Sequence, residues 1–393
     1  MSRNYQLDFF RGMLLVLIAV NHAMTNDNVI RRFTYEFVGH VTAASGFVFL
    51  SGLTAGLVYT RKFSEKGTVS IAATAAKRAW LIYRNHLLLL VFTFGLVLLF
   101  PSLRASWSDS YDFFTQEPLL SLAMGGMLLH QPQYLDILPM YALFMLWVPV
   151  LVRWFHQGFL VPVLLGSLAL YLFSTLNEPY HLVEVLHVTA DLTIGWFNLL
   201  NWQLLFTSGV AFGFLSSRGH LARWQHSRPL LAVAVLVSVT LFLLKNLHIE
   251  IPGINMNYLV NRANLGPTRV VNFGALCFIV VFVATRKKHW FTFRPLTYLG
   301  RYSLEVFTLH VVLTVLFMPV RLYLNQLYSV RAVHDFYFYP LESLVVFFVI
   351  VPALFLAPVL LSPKARKHLK TKLQPAVSPA LVEANDPRRG VRK

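Results

Sequence analysis

The amino-acid sequence predicts an all-α polytopic integral membrane protein of about ten transmembrane helices with both termini cytoplasmic. Three observations carry this expectation. Hydrophobic residues make up 56% of the 393 and charged residues only 13%, about half the charge of a soluble domain. Apolar runs close to 20 residues long recur between polar or Pro/Gly punctuation, without the strict alternation of a transmembrane β-barrel. Lys and Arg, finally, crowd into alternate connections rather than spreading evenly.

Taken in order, the runs place spans near 7–26, 41–60, 79–100, 135–153, 158–174, 199–216, 229–247, 269–285, 299–320 and 341–361. The first reads as a retained helix, because Asn21-His22 interrupts its apolar core and no small-residue cleavage site follows. Between the third and fourth lies "PLLSLAMGGMLL", which is too short for an eleventh crossing and suits an interfacial or re-entrant segment. With the N-terminus cytoplasmic, the cytoplasmic segments hold Arg61, Lys62, Lys66, Lys77, Arg78, Arg286, Lys287 and Lys288 among others, and the tail adds more. The opposite face holds only Arg31, Arg32, Arg104, Arg262, Arg321 and Arg331. Residues 1–363 thus form one transmembrane domain. Residues 364–393 form a basic cytoplasmic tail, disordered by composition and attracted to the lipid surface.

Net charge +17 suggests nucleic acid at first sight, but its confinement to alternate loops and the tail assigns it to topology instead. A lone cysteine, Cys277, excludes an internal disulfide and a cysteine-based metal site. No Walker loop, GxGxxG helix opening or zinc-ligand spacing is present, so no metal is expected.

Ionisable residues inside spans are costly and mark candidate sites. The first span carries Asp8, Arg11 and His22. Arg11 and His22 fall on one helix face roughly 16 Å apart, and Asp8 can neutralise Arg11 at i, i+3. One face therefore offers a cation toward the cytosol and a titratable base toward the exterior; a structural Asp8–Arg11 pair with an interfacial His22 is the blander alternative. In the second span Gly52-x-x-x-Gly56 allows close helix packing, and a Ser45 or Ser51 hydroxyl could line a cavity. The third, opening "KRAWLIYRNH", places Lys77, Arg78, Arg84 and His86 where they can meet phosphates at a cytoplasmic mouth. In the ninth, Arg301 and Glu305 sit at i, i+4 as an expected pair, and His310 falls near mid-membrane, either in a polar network or in catalysis. Haem ligation by His22, His86 and His310 is disfavoured because the three are expected at different depths. Tyr134 and Trp202 read as interfacial belt aromatics or as sugar-stacking rings; Glu178, Glu184 and Asp191 read as solvated loop carboxylates.

These residues resemble a family. "LDFFRG" with His22 is similar to the Arg-x10-His signature of the membrane acyltransferase-3 superfamily. The ordered set "FVFLSGLTAGLVY", "RAWLIYRNH", "YLDILPMY", "NWQLLF", "NLGPTRVVNFGAL" and "GRYSLEVFTLH" resembles the OpgC family, associated with succinylation of osmoregulated periplasmic glucans. The resemblance implies a bacterial inner-membrane O-acyltransferase using acyl-CoA, succinyl-CoA foremost, as co-substrate and a periplasmic glucan as acceptor. His22 then takes the catalytic role, Arg11 contacts the donor, and Arg78 and Arg84 lie near the coenzyme phosphates. The third span lacks the clustered arginines and proline of the wider superfamily. A transporter or flippase for an anionic or saccharide solute, and a scaffold for glucan-synthesising partners, are the competing classes; no nucleic-acid partner is expected.

Overall fold

The computed structural model describes residues 4–36, 38–177, 195–221, 224–249, 255–328 and 337–362, with 252 and 365 standing alone. Glu178, Glu184, Asp191, Arg331 and the tail from Arg366 onward lie outside the described residues. Those described form an all-helical, multi-pass membrane architecture, and seven helices are long and apolar enough to cross a bilayer. Every expected span falls on a helix: α1 (Tyr5–Ala23), α3 (Ala43–Leu99), α6 (Ile137–His156), α7 (Leu160–Leu176), α8 (Leu199–Ser217), α9 (Arg228–Asn246), α10 (Pro267–Arg286), α12 (Ser303–Leu327) and α13 (Tyr339–Leu361). Shorter elements are α2 (Val29–Thr34), α4 (Ser108–Gln116), α5 (Pro118–Gly126) and α11 (Arg294–Arg301). At nine residues α5 is too short to span, as its composition implies.

The expected loop between the second and third spans is not a loop. α3 carries helical hydrogen bonding through it, broken only at Gly67, which holds φ 72° and ψ −176°. A straight helix would put Tyr59 and Arg78 roughly 28 Å apart, yet both line one cavity, so the chain bends sharply there. Only glycine adopts that backbone without strain. Lys62 hydrogen-bonds Thr74 across the bend.

Two glycine contacts set the centre of the bundle. Cβ atoms at Gly52 and Gly56 would collide with the Phe206 and Val210 carbonyls of α8, and those at Gly209 and Gly213 with the Phe49 and Leu53 carbonyls of α3. The Gly-x-x-x-Gly stripe of α3 thus meets a second such stripe, and the backbones approach as only small residues permit. Gly12 of α1 likewise faces the Leu296 carbonyl and the Gly300 nitrogen of α11, where Cβ would lie 2.9 Å from the latter. Around this centre α3 packs on α8 and α6, and α1 on α11, while α9 pairs with α10 at the periphery. Only 11% and 17% of their apolar windows are buried, so these two present their side chains to lipid.

Candidate functional site

Asn4 caps α1, its side chain accepting from Gln6 N at 3.1 Å and Leu7 N at 3.2 Å. From that anchored start, Arg11 projects into a cavity of about 320 Å³ enclosed by α1, both arms of α3, α6 and α12. Its polar lining includes Ser51, Tyr59, Thr74, Arg78 and Tyr141. Two guanidinium groups in a mostly apolar pocket suit the polar end of an anionic ligand with a long apolar arm.

Of the basic residues expected at this mouth, the structure brings in Arg78 alone. Lys77 and Arg84 are exposed and do not line the cavity. His86 is fully buried elsewhere, its Nε2 donating to the Gly125 carbonyl at 3.1 Å, and thus ties α5 to α3. The expected Arg301–Glu305 pair is also absent. Tyr302 leaves helical geometry at ψ 40° between α11 and α12, so i, i+4 spacing no longer brings the two together. Arg301 is exposed over the Tyr302 ring, 5.5 Å from its centroid. Glu305, in the first turn of α12, acts electrostatically on Arg78 instead. Asp8 is buried beside Arg11 on the same helix.

At the other end of α1, His22 Nδ1 lies 3.2 Å from His310 Nε2. This corrects the expectation of separate depths for these two. α1 and α11 cross at Gly12 and Gly300, and each chain reaches its histidine ten residues later, so the rings arrive at one level. His86 is not part of the pair. His310 is buried, and its Nδ1 sits 2.5 Å from the Phe307 carbonyl oxygen. A carbonyl only accepts, so His310 Nδ1 carries the proton and its Nε2 is the acceptor. His22 Nδ1 must then donate, which leaves the His22 Nε2 lone pair available as a base. Phe307 lines the cavity and meets the His310 ring edge-on at 4.6 Å, joining the two halves of the site.

Tyr134 covers His22, with ring centroids 4.6 Å apart. It does so at φ 72°, in the left-handed region that non-glycine residues seldom enter. Neither a belt nor a sugar-platform position describes Trp202: it is buried and donates to the Ala263 carbonyl at 2.9 Å. Beyond Tyr134 stands a hub that no motif announced. The Glu36 carboxylate receives Arg269 at 2.8 Å, Lys245 at 3.3 Å and Arg262 at 3.4 Å. Burial pushes this carboxyl up, but the three cations outweigh it and hold it below its ordinary value. Among the described residues no group of three or more His, Cys, Asp or Glu is placed to hold a metal.

The chain matches no curated protein and no solved structure. A family model described as OpgC protein matches residues 3–354, which takes in α1 through most of α13 and every residue of the two-part site. The chain therefore belongs to the OpgC family, and with that membership comes a general transferase activity.

Proposed function

We propose that this chain is an O-acyltransferase of the bacterial inner membrane, moving an acyl group, succinyl foremost, from cytoplasmic acyl-CoA to hydroxyls of periplasmic glucans. Ten crossings with both termini cytoplasmic complete the reading. The observation that carries it is the His22–His310 pair, whose tautomers are set by the Phe307 carbonyl. A partly buried histidine with one nitrogen committed and the other bare suits general-base chemistry on a hydroxyl.

The step balances simply. His22 Nε2 takes the proton of the glucan hydroxyl as its oxygen attacks the thioester carbonyl carbon. The tetrahedral centre collapses with cleavage of the C–S bond, and the same proton leaves with the thiolate as coenzyme A thiol. His310 keeps the His22 ring oriented and its Nδ1 protonated, much as a carboxylate does in a hydrolase triad. Arg78 meets the donor at the cytoplasmic mouth, with Glu305 and Tyr59 setting the field around it. Arg11 follows the donor arm inward along α1.

Mass spectrometry of glucans from a strain lacking its own modifying enzyme tests the reading. Complementation with the parent chain adds acyl mass increments. His22→Ala at equal membrane abundance removes them, and His310→Ala reduces turnover by about 10²–10⁴-fold, the range for general-base catalysis. Parental modification by His22→Ala would end the assignment.

A further inference from the structure

The segment after α1 is clamped beside His22. Glu342 of α13, fully buried, accepts from Thr25 N at 2.9 Å, the Thr25 hydroxyl at 3.1 Å and Asn28 Nδ2 at 2.8 Å. Thr34 Oγ1 donates to Asn21 Oδ1 at 2.7 Å, returning the end of α2 to the end of α1. These bonds hold Arg31, midway along α2, close enough to His22 and Tyr134 to act on both electrostatically.

Three side-chain atoms in this corner are buried without a hydrogen-bond partner: Arg31 Nε, Tyr35 Oη and Arg262 Nε. The last stands 3.4 Å from Glu36 Oε1, near enough for charge attraction but not aimed for a hydrogen bond. Arg31, Tyr35 and Arg262 are only partly buried, so this corner offers two cations and a phenol to an anion that approaches it. Both guanidinium groups rest on the Tyr35 ring, at 4.8 and 4.7 Å from its centroid. Arg31 Nε has no hydrogen-bond partner among the described residues, and its guanidinium meets the Tyr35 ring. Glu36 is already shared by Arg269, Lys245 and Arg262. Asp136, whose charge Tyr134 also feels, accepts from Trp196 N at 3.0 Å. Arg321 adds a further positive charge toward Arg31 and Tyr134. Burial pushes the Tyr35 phenol up to about 12, so at neutral pH it remains a hydrogen-bond donor.

We infer that Arg31, with Tyr35 and Arg262 beside it, is the specificity pocket for the free carboxylate of a dicarboxylic acyl group during its transfer at His22. The inference rests on the acyl-transfer reading above and names which residues of this chain select the acyl group. On that reading, a donor entering at Arg78 and presenting its thioester carbonyl to His22 extends its acyl chain onward, toward Tyr134 and Arg31. The Tyr134 ring against His22 gives the methylenes an apolar surface, and the unpaired donors lie next. An acetyl group leaves those donors unmet, and a longer fatty acyl chain would bury hydrocarbon against cations that need water or an anion. The carboxylate of a short diacid brings the anion that the Arg31 and Arg262 charges attract.

The test uses the purified full-length chain in nanodiscs with succinyl-CoA or acetyl-CoA as donor and an uncharged glucan oligosaccharide as acceptor. The parent favours succinyl-CoA in kcat/KM. Arg31→Gln lowers the succinyl-to-acetyl ratio by about 10–100-fold, the worth of a charged hydrogen bond. Tyr35→Phe removes only the orphan hydroxyl and lowers the ratio by about 2–10-fold, keeping the test meaningful if Arg31→Gln folds poorly. Equal losses with both donors overturn the inference. So does a loss seen only with a glucan bearing anionic substituents, which would give the pocket to the acceptor. A parent that uses both donors equally overturns this inference alone; a parent that uses neither overturns the acyl-transfer reading with it.

Discussion

At the scale of single residues, one carbonyl oxygen propagates a choice through two rings. Phe307 accepts from His310, His310 accepts from His22, and His22 is left with its outward nitrogen bare. Among the described residues the tautomers are set without a carboxylate in contact with either ring, and a buried carboxylate there would be costly. A different histidine should make the protein sensitive to acid. Burial, with Lys245 and Arg269 nearby, pulls His40 down to about 4, while Glu36 opposes them. In the unfolded chain its pKa is about 6.5, so between these values the unfolded state binds the extra proton. Stability is then full above about pH 6.5 and falls as the pH drops toward 4, by up to about 3 kcal/mol. Thermal inactivation midpoints measured from about pH 7 to 4.5 should decline, and His40→Gln should flatten the slope. An unchanged slope would assign the acid sensitivity elsewhere.

At the scale of elements, glycine decides which helices touch. The α3–α8 crossing leaves no room for Cβ at Gly52, Gly56, Gly209 or Gly213, and backbone atoms rather than flexible side chains stand in the way. Gly166 of α7 has nothing within 4 Å of its Cβ position. Gly213→Leu should therefore abolish recoverable folded protein or cost at least about 3 kcal/mol. Gly166→Ala should be neutral or stabilise by up to about 1 kcal/mol through helix propensity. Fluorescence-detected size-exclusion after a heating series separates the two; equal behaviour would discount the crossing. The Gly52-x-x-x-Gly56 signal was legible in the sequence, and its partner stripe on α8 had the same spacing and could have been found by it. Arg78 was equally discoverable. Arg84 follows it by six positions, about 240° around the helix, so the two were never able to face one cavity.

At the scale of the whole molecule, the lipid-facing α9–α10 pair is joined to the centre through charge as well as through the apolar contact of Phe273 with Phe49. Lys245 of α9 and Arg269 of α10 both end on Glu36, and Lys245 also donates to the Glu36 and Gly39 carbonyls at 2.7 Å each. Removing a buried carboxylate from several cations typically costs about 3–5 kcal/mol. Glu36→Gln should lower stability by that amount, and hydrogen exchange should rise first in α9 and α10. Exchange rising uniformly, or not at all, would show that the hub does not hold the pair.

Class and span positions were set by the sequence alone, because hydrocarbon length and helical periodicity are local demands that each segment meets for itself. The identity of the ionisable residues worth attention, Arg11, Arg78, His22 and His310, was equally local: each is expensive where it stands. Their partnerships were not. His22 and His310 are 288 positions apart, and their meeting depends on where α1 and α11 cross. Glu305 turned from Arg301 toward Arg78 because one residue, Tyr302, left helical geometry. Tyr134, Tyr35 and Arg31 acquire meaning only from what they are folded against. Such pairings are decided by the rotation and register of whole helices, which glycine contacts and helix breaks determine and which hydropathy leaves open.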